Sequence, residues 1–134
     1  MVPRLVAPLA VVALLLGACV TPGADLRQGP GIVGSYVVNG VDPNGTEYSG
    51  RVSITAGDAA NRFVIEWVVT GAILEGRGVL GGDTLSVEWE TVGSPRGVSR
   101  GTAEYSVLDD GRLVGTRTVD GSDVVGTEEI FPEP

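Results

Sequence analysis

From Ile32 onward the chain alternates apolar and polar residues with a period of two, and Gly, Asn, Asp and Pro interrupt the alternation every eight to twelve residues. Period two is the signature of a strand that buries one face. In Glu47–Thr55, Tyr48, Gly50, Val52 and Ile54 fall on one face, with Glu47, Ser49, Arg51, Ser53 and Thr55 on the other. Phe63, Ile65, Trp67 and Val69 form the next apolar face, followed by Leu74–Leu80, then Leu85, Val87 and Trp89. Gly101, Ala103, Tyr105 and Val107 come after a longer loop around Ser94-Pro95. Tyr36 and Val38 mark the first strand, Leu113 and Gly115 a seventh, and Val124–Phe131 an eighth. No window after residue 19 has the period of a long helix.

The connections are Asp42-Pro43-Asn44-Gly45, Gly57-Asp58, Thr70-Gly71, Gly81-Gly82-Asp83, Asp109-Asp110-Gly111 and Asp120-Gly121. Most are too short for a crossover, so consecutive strands are antiparallel neighbours in a meander. The expected fold is all-β: about eight strands rolled into a small closed up-and-down barrel, which leaves no free edge. An open twisted sheet or a two-sheet sandwich is the alternative. A turn at Gly82-Asp83 sets Leu80 opposite Leu85, Gly78 opposite Val87 and Gly76 opposite Trp89, with Arg77 opposite Glu88 outside. The recurrent aliphatic-x-Gly pattern then reads as wall glycines that make room for large side chains across a narrow interior. Tyr36–Gly50 and Tyr105–Gly115 also parallel each other, which hints at duplication of a hairpin.

The N-terminal part has another character. A single charge (Arg4) precedes Leu5–Leu16, twelve residues of Leu, Val, Ala and one Pro. As a helix these span about 18 Å, short of a bilayer core. Charged start, short apolar run and small residues are the layout of a secretory signal peptide; a buried N-terminal helix is the alternative, but it has no polar face to show to water. Leu16-Gly17-Ala18-Cys19 resembles the lipobox of bacterial lipoproteins. That resemblance implies cleavage before Cys19, attachment of acyl chains to the thiol and to the new amine, and a membrane anchor. Cys19 is the single cysteine, and the chain holds no His to activate it. The expected organisation is a signal peptide at 1–18, the lipidated cysteine and a tether at 19–31, and the β-domain at 32–134. The tether, rich in Pro and Gly, reaches about 40 Å when extended. Val20 after the cysteine, in place of an inner-membrane-retaining Asp, favours the outer membrane of a cell that has one.

From Cys19 onward eight arginines face seventeen carboxylates, and the chain has no Lys. Such acidity argues against nucleic acid and suits cationic or protein partners. Without His, and with Cys19 acylated, nucleophilic triads and His-containing zinc sites are excluded. Lysine Schiff-base chemistry is excluded as well. The carboxylates are left. Asp109-Asp110 and Asp120/Asp123 belong to turns, Glu66 and Glu88 fall on the outer face, and Glu128 and Glu129 point to opposite faces of one strand. No catalytic pair is assigned, so the expectation is a non-enzymatic protein with no cofactor. The Asp42–Glu47 turn offers alternating oxygen ligands but lacks the spacing of a twelve-residue calcium loop, so no metal site is assigned. Trp67, Trp89, Tyr36, Tyr48, Tyr105 and Phe63 share the inner parity and line either a packed core or a small apolar pocket.

The domain also resembles a group of short secreted and lipoprotein sequences of bacteria. The residues that carry the likeness are Gly34-Ser-Tyr36-Val-Val38, Pro43-Asn44-Gly45, Tyr48-Ser-Gly50-Arg-Val52 and Gly126-Thr127-Glu128. Such sequences are sometimes labelled fibronectin-binding proteins, which implies an envelope β-domain that binds a matrix protein. The shared motifs are turns and packing glycines, so no functional residue follows from them. The expected function of the barrel is therefore presentation of a rigid surface to an envelope or extracellular-matrix protein; enclosure of a small apolar ligand is the alternative. Interior volume discriminates between them: packing of Trp67 and Trp89 on Gly76 and Gly78 without a void counts against a carrier, and a cavity of several hundred Å³ open at one end counts against a pure scaffold.

Overall fold

The computed structural model describes residues 31–134. The expected signal peptide, Cys19 and all of the expected tether except Gly31 lie outside the described residues. Eight strands follow one another: β1 Gly34–Val41, β2 Glu47–Ala56, β3 Arg62–Val69, β4 Ala72–Gly81, β5 Thr84–Gly93, β6 Arg100–Val107, β7 Leu113–Val119 and β8 Val125–Pro132. Each pairs antiparallel with the next, and β8 returns to β1, from Tyr36↔Pro132 to Val41↔Thr127. The barrel is closed, in meander order, so every strand edge is hydrogen-bonded and none is left to template aggregation.

The turns carry the chemistry that hairpins require. Gly45 closes the β1–β2 turn at φ 87° and Gly82 the β4–β5 turn at φ 62°, conformations that a side chain disfavours. With that turn in place Leu80 lies opposite Leu85, Gly78 opposite Val87 and Gly76 opposite Trp89, the expected register. The pairing slips by one residue between Ile73 and Leu74, whose partners are Gly93 and Thr91, so Val92 bulges out exposed.

The meander gives the barrel two unlike ends. One carries the start of the described residues, the C-terminus and the β2–β3, β4–β5 and β6–β7 turns, and it is packed. Ile32, Ile54, Ile65, Leu85, Leu113 and Ile130 are buried there and in the barrel's waist, each contributing about 1.5–3 kcal/mol by leaving water. Ile32 precedes β1, and the Tyr36 hydroxyl donates to its carbonyl oxygen at 2.6 Å, which holds the plug in place. At the waist a Cβ on Gly76 would stand 2.6 Å from Val87 Cγ1 and 2.8 Å from Trp67 Cζ3. No void separates that glycine from the indole. The ring over Gly76 belongs to Trp67 of β3, although Trp89 is the residue opposite Gly76 in the ladder.

The outer wall is charged. Glu66, Arg77, Glu88 and Glu90 are exposed across β3–β5, with Glu75 half-buried among them, a charge density unlike that of a lipid-facing band. Arg77 does stand opposite Glu88 in register, but its guanidinium lies against Glu75 on its own strand, Nη2 to Oε1 at 3.7 Å. Glu75 sits directly between two other glutamates, Glu66 and Glu90, and so presents the nearer and stronger attraction.

Candidate functional site

The other end, the mouth, is formed by the β1–β2, β3–β4, β5–β6 and β7–β8 connections. Below it a single row of residues crosses five strands. Tyr48 of β2 faces Gly40 of β1, Gly40 faces Glu128 of β8, Glu128 faces Gly115 of β7, and Gly115 faces Tyr105 of β6. Opposed residues on one sheet face have Cβ atoms only about 5 Å apart. The two glycines leave gaps on either side of Glu128, and each tyrosine passes over one gap to reach the carboxylate. A Cβ on Gly40 would strike the Tyr48 ring, and one on Gly115 would strike both Tyr105 and the Glu104 carbonyl.

Both carboxylate oxygens are thereby engaged. The Tyr48 hydroxyl donates to Glu128 Oε1 at 2.5 Å and the Tyr105 hydroxyl to Oε2. Arg117 lies one step nearer the mouth on β7, diagonal to Glu128 and directly opposite Gly126. Its Nη1 donates to Glu128 Oε1 at 2.8 Å and to the Tyr48 oxygen at 3.1 Å. The side chains of Arg117 and Glu128 are 8% and 0% exposed, so this is a buried ion pair. Its charges are matched and its carboxylate is fully hydrogen-bonded, the conditions under which such a pair tolerates burial.

Aromatic rings complete the enclosure. The guanidinium carbon lies 4.3 Å from the centroid of a Trp89 ring, 5.7 Å from Trp67 and 5.8 Å from Tyr48, each within cation–π range. Trp89 Nε1 donates to the Thr102 carbonyl at 3.1 Å, which fixes the ring under the cation. Burial pushes the Tyr48 and Tyr105 hydroxyls well above the usual phenol range, and the Glu128 carboxylate pushes them further. For Arg117 burial works against the charge, but the Glu128 carboxylate and the tyrosine oxygens outweigh it and the guanidinium stays protonated.

Above this floor the mouth is an open recess of about 520 Å³, within the range of small-molecule sites. Its walls include Leu74, Trp89 and Val119, with Tyr48 and Arg117 at the base and Arg96 at the rim. Of the six aromatic residues singled out from the sequence, Tyr48, Tyr105, Trp67 and Trp89 gather around the ion pair. Tyr36 and Phe63 sit toward the packed end, Tyr36 on the Ile32 plug and Phe63 beside Gly78. Arg117 and Glu128 carry the site, and the sequence reading assigned neither. The Asp42–Thr46 turn is closed by backbone hydrogen bonds, Asp42 N–H to the Thr46 carbonyl and Gly45 N–H to the Asp42 carbonyl, both at 2.8 Å.

No family model and no curated protein matches the chain. Among solved structures it is similar to a redesigned beta barrel, with a TM-score of 0.65 at 14% identity over 77% of this chain and 92% of that one. At that identity the likeness is one of fold.

Proposed function

We propose that this chain is a non-enzymatic, lipid-anchored protein of the bacterial cell envelope whose barrel holds a small ligand in its mouth. The observation that carries the ligand reading is the asymmetry of the interior. One end is plugged by Ile32, whereas the other opens over about 520 Å³ with a guanidinium at its base. A barrel that served only as a rigid surface gains nothing from a hollow end built on a buried ion pair. The chain enters the barrel at the plugged end, so an anchor on Cys19 leaves the mouth unobstructed. The non-enzymatic reading is supported by the absence of His and Lys and by Glu128, whose oxygens are engaged by three donor groups. Mass spectrometry of the protein from native membranes tests both parts. A mature N-terminus at Cys19 with acyl mass is expected, together with a small molecule released on denaturation. An unmodified N-terminus, or one elsewhere, refutes the anchor, and a barrel that neither carries nor takes up any small molecule refutes the ligand reading.

A second reading, presentation of the β-domain to an envelope or extracellular-matrix protein, is supported by exposed aliphatic residues around the mouth. Val68, Ile73, Val92, Val98, Val124 and Val125 are all exposed there, a clustering typical of contact surfaces. Val98→Asp and Val124→Asp are expected to abolish capture of such a protein in a pull-down while leaving the barrel folded. Unchanged capture refutes the surface.

A further inference from the structure

The polarity of the floor restricts what the mouth will hold. Arg117 has five N–H donors, and its hydrogen bonds to Glu128 and Tyr48 both leave from Nη1. Nε and Nη2 have no partner among the described residues. Arg117 lines the cavity of the mouth, and the small part of its side chain left exposed, 8%, is what a ligand there would meet. Glu128 lies behind the guanidinium with its side chain fully enclosed, so the mouth meets donors at its base rather than the carboxylate. The acidic and basic residues of the cavity wall are Arg117, Arg96 and Asp42, and Glu128 behind the wall is the counter-ion of Arg117. The mouth thus offers unpaired guanidinium donors rather than a net positive charge.

Resting on the ligand reading above, we infer that the mouth selects a small amphipathic anion, with a planar acceptor head such as a carboxylate on Arg117 Nε and Nη2 and an apolar body against Trp89, Leu74 and Val119. The Nε–H and one Nη2–H are parallel donors in a fixed fork, the geometry that takes both oxygens of a carboxylate. Trp89 stacks on the guanidinium and holds the fork in place, and its indole continues into the wall that the apolar body would cover.

The test compares 2-naphthoate with 2-naphthamide, its neutral counterpart of the same shape, by titration calorimetry on the mature protein. The carboxylate is expected to bind at least tenfold more tightly and to weaken as salt is raised. In two-dimensional NMR the Arg117 Nε–H resonance is expected to shift with naphthoate. Equal binding of the two, or tighter binding of the amide, overturns the inference while the ligand reading survives. Failure of both to bind overturns the inference, and the ligand reading falls with it only if the protein from native membranes also releases no small molecule. The double variant Arg117→Gln/Glu128→Gln removes both charges at once and is expected to lose the preference for the carboxylate; retention of the preference places the head elsewhere and overturns the inference. Should that variant not fold, the Arg117 Nε–H resonance of the unaltered protein decides, and no shift at saturation overturns it.

Discussion

Tyr105 and Glu128 stand on β6 and β8, two strands that are not neighbours, yet the tyrosine hydroxyl donates directly to the carboxylate. The contact exists because the intervening strand presents Gly115 at that level. Tyr48 repeats the arrangement from the other side over Gly40. A sheet face with side chains at every position would keep residues two strands apart out of hydrogen-bond reach. The two glycines and the curvature of the wall bring five strands to bear on one carboxylate.

This arrangement makes the folded state resist ionisation of Tyr48 and Tyr105. The chain has three tyrosines, and all three are raised above the ordinary phenol value, Tyr36 by burial, and Tyr48 and Tyr105 by burial and then by Glu128. The unfolded chain ionises its tyrosines near pH 10. Below that the stabilisation is complete. Above it the unfolded state binds fewer protons, so stability falls as pH rises, by about 3 kcal/mol per pH unit for Tyr48 and Tyr105 together. Spectrophotometric titration is expected to show the tyrosinate absorbance of Tyr48 and Tyr105 appearing only as near-UV circular dichroism is lost. Ionisation of either at pH 10 with the fold intact contradicts it.

The two bridging glycines should differ in how they respond to an added methyl. At Gly40 the obstacle is the Tyr48 ring, the end of a side chain that can swing away, whereas at Gly115 it includes the Glu104 carbonyl of the wall itself. Gly40→Ala is expected to cost about 1–3 kcal/mol, an overpacking penalty, and to release Tyr48 from Glu128. Gly115→Ala should cost more than Gly40→Ala, because a barrel strand has to move. Urea denaturation of both variants measures the order, and a reversed order refutes the assignment of side chain against wall.

The strands, the order of the ladder and the inner parity of the aromatic residues were legible because alternation and turn residues encode them locally. The ion pair was hidden by the same rule. The parity that places Leu113 and Gly115 inside runs on to Arg117, and that of Ile130 and Gly126 runs to Glu128, but an inward charge is what alternation argues against. The signal available was Gly115-Thr-Arg117 and Gly126-Thr-Glu128, where each charged residue follows a glycine by two and lies opposite the other strand's glycine. The reach of Tyr105 across two strands and the division into a plugged and a hollow end arise from curvature, which no local pattern carries. Arg77 shows a further limit: register named Glu88 as its neighbour, but the electrostatics of three opposed glutamates drew the side chain to Glu75.

Arg117 and Glu128 are each expected to depend on the other. Removal of either charge strands its partner in a buried site, at a cost of about 3–5 kcal/mol. Arg117→Met and Glu128→Met should each destabilise by that much, and the double variant by clearly less than the sum, since the second change removes the charge that the first stranded. A double-mutant cycle read by denaturant unfolding gives the coupling. Strict additivity within about 0.5 kcal/mol would mean that the pair acts as two independent hydrogen-bonded groups.

On the outer wall the opposite situation holds. Glu75 has Glu66 directly opposite on β3 and Glu90 directly opposite on β5, two like-charge pairs of the kind that destabilise a sheet. The single attraction, to the exposed Arg77 at 3.7 Å, is long and open to solvent, so it contributes little. Glu75→Thr removes both repulsions and puts a good strand former in their place. It is expected to stabilise the barrel by about 0.5–1 kcal/mol at low salt, with the gain shrinking as salt screens the surface. A loss of stability at every ionic strength would show that the Arg77 contact, and not the repulsion, dominates at this position.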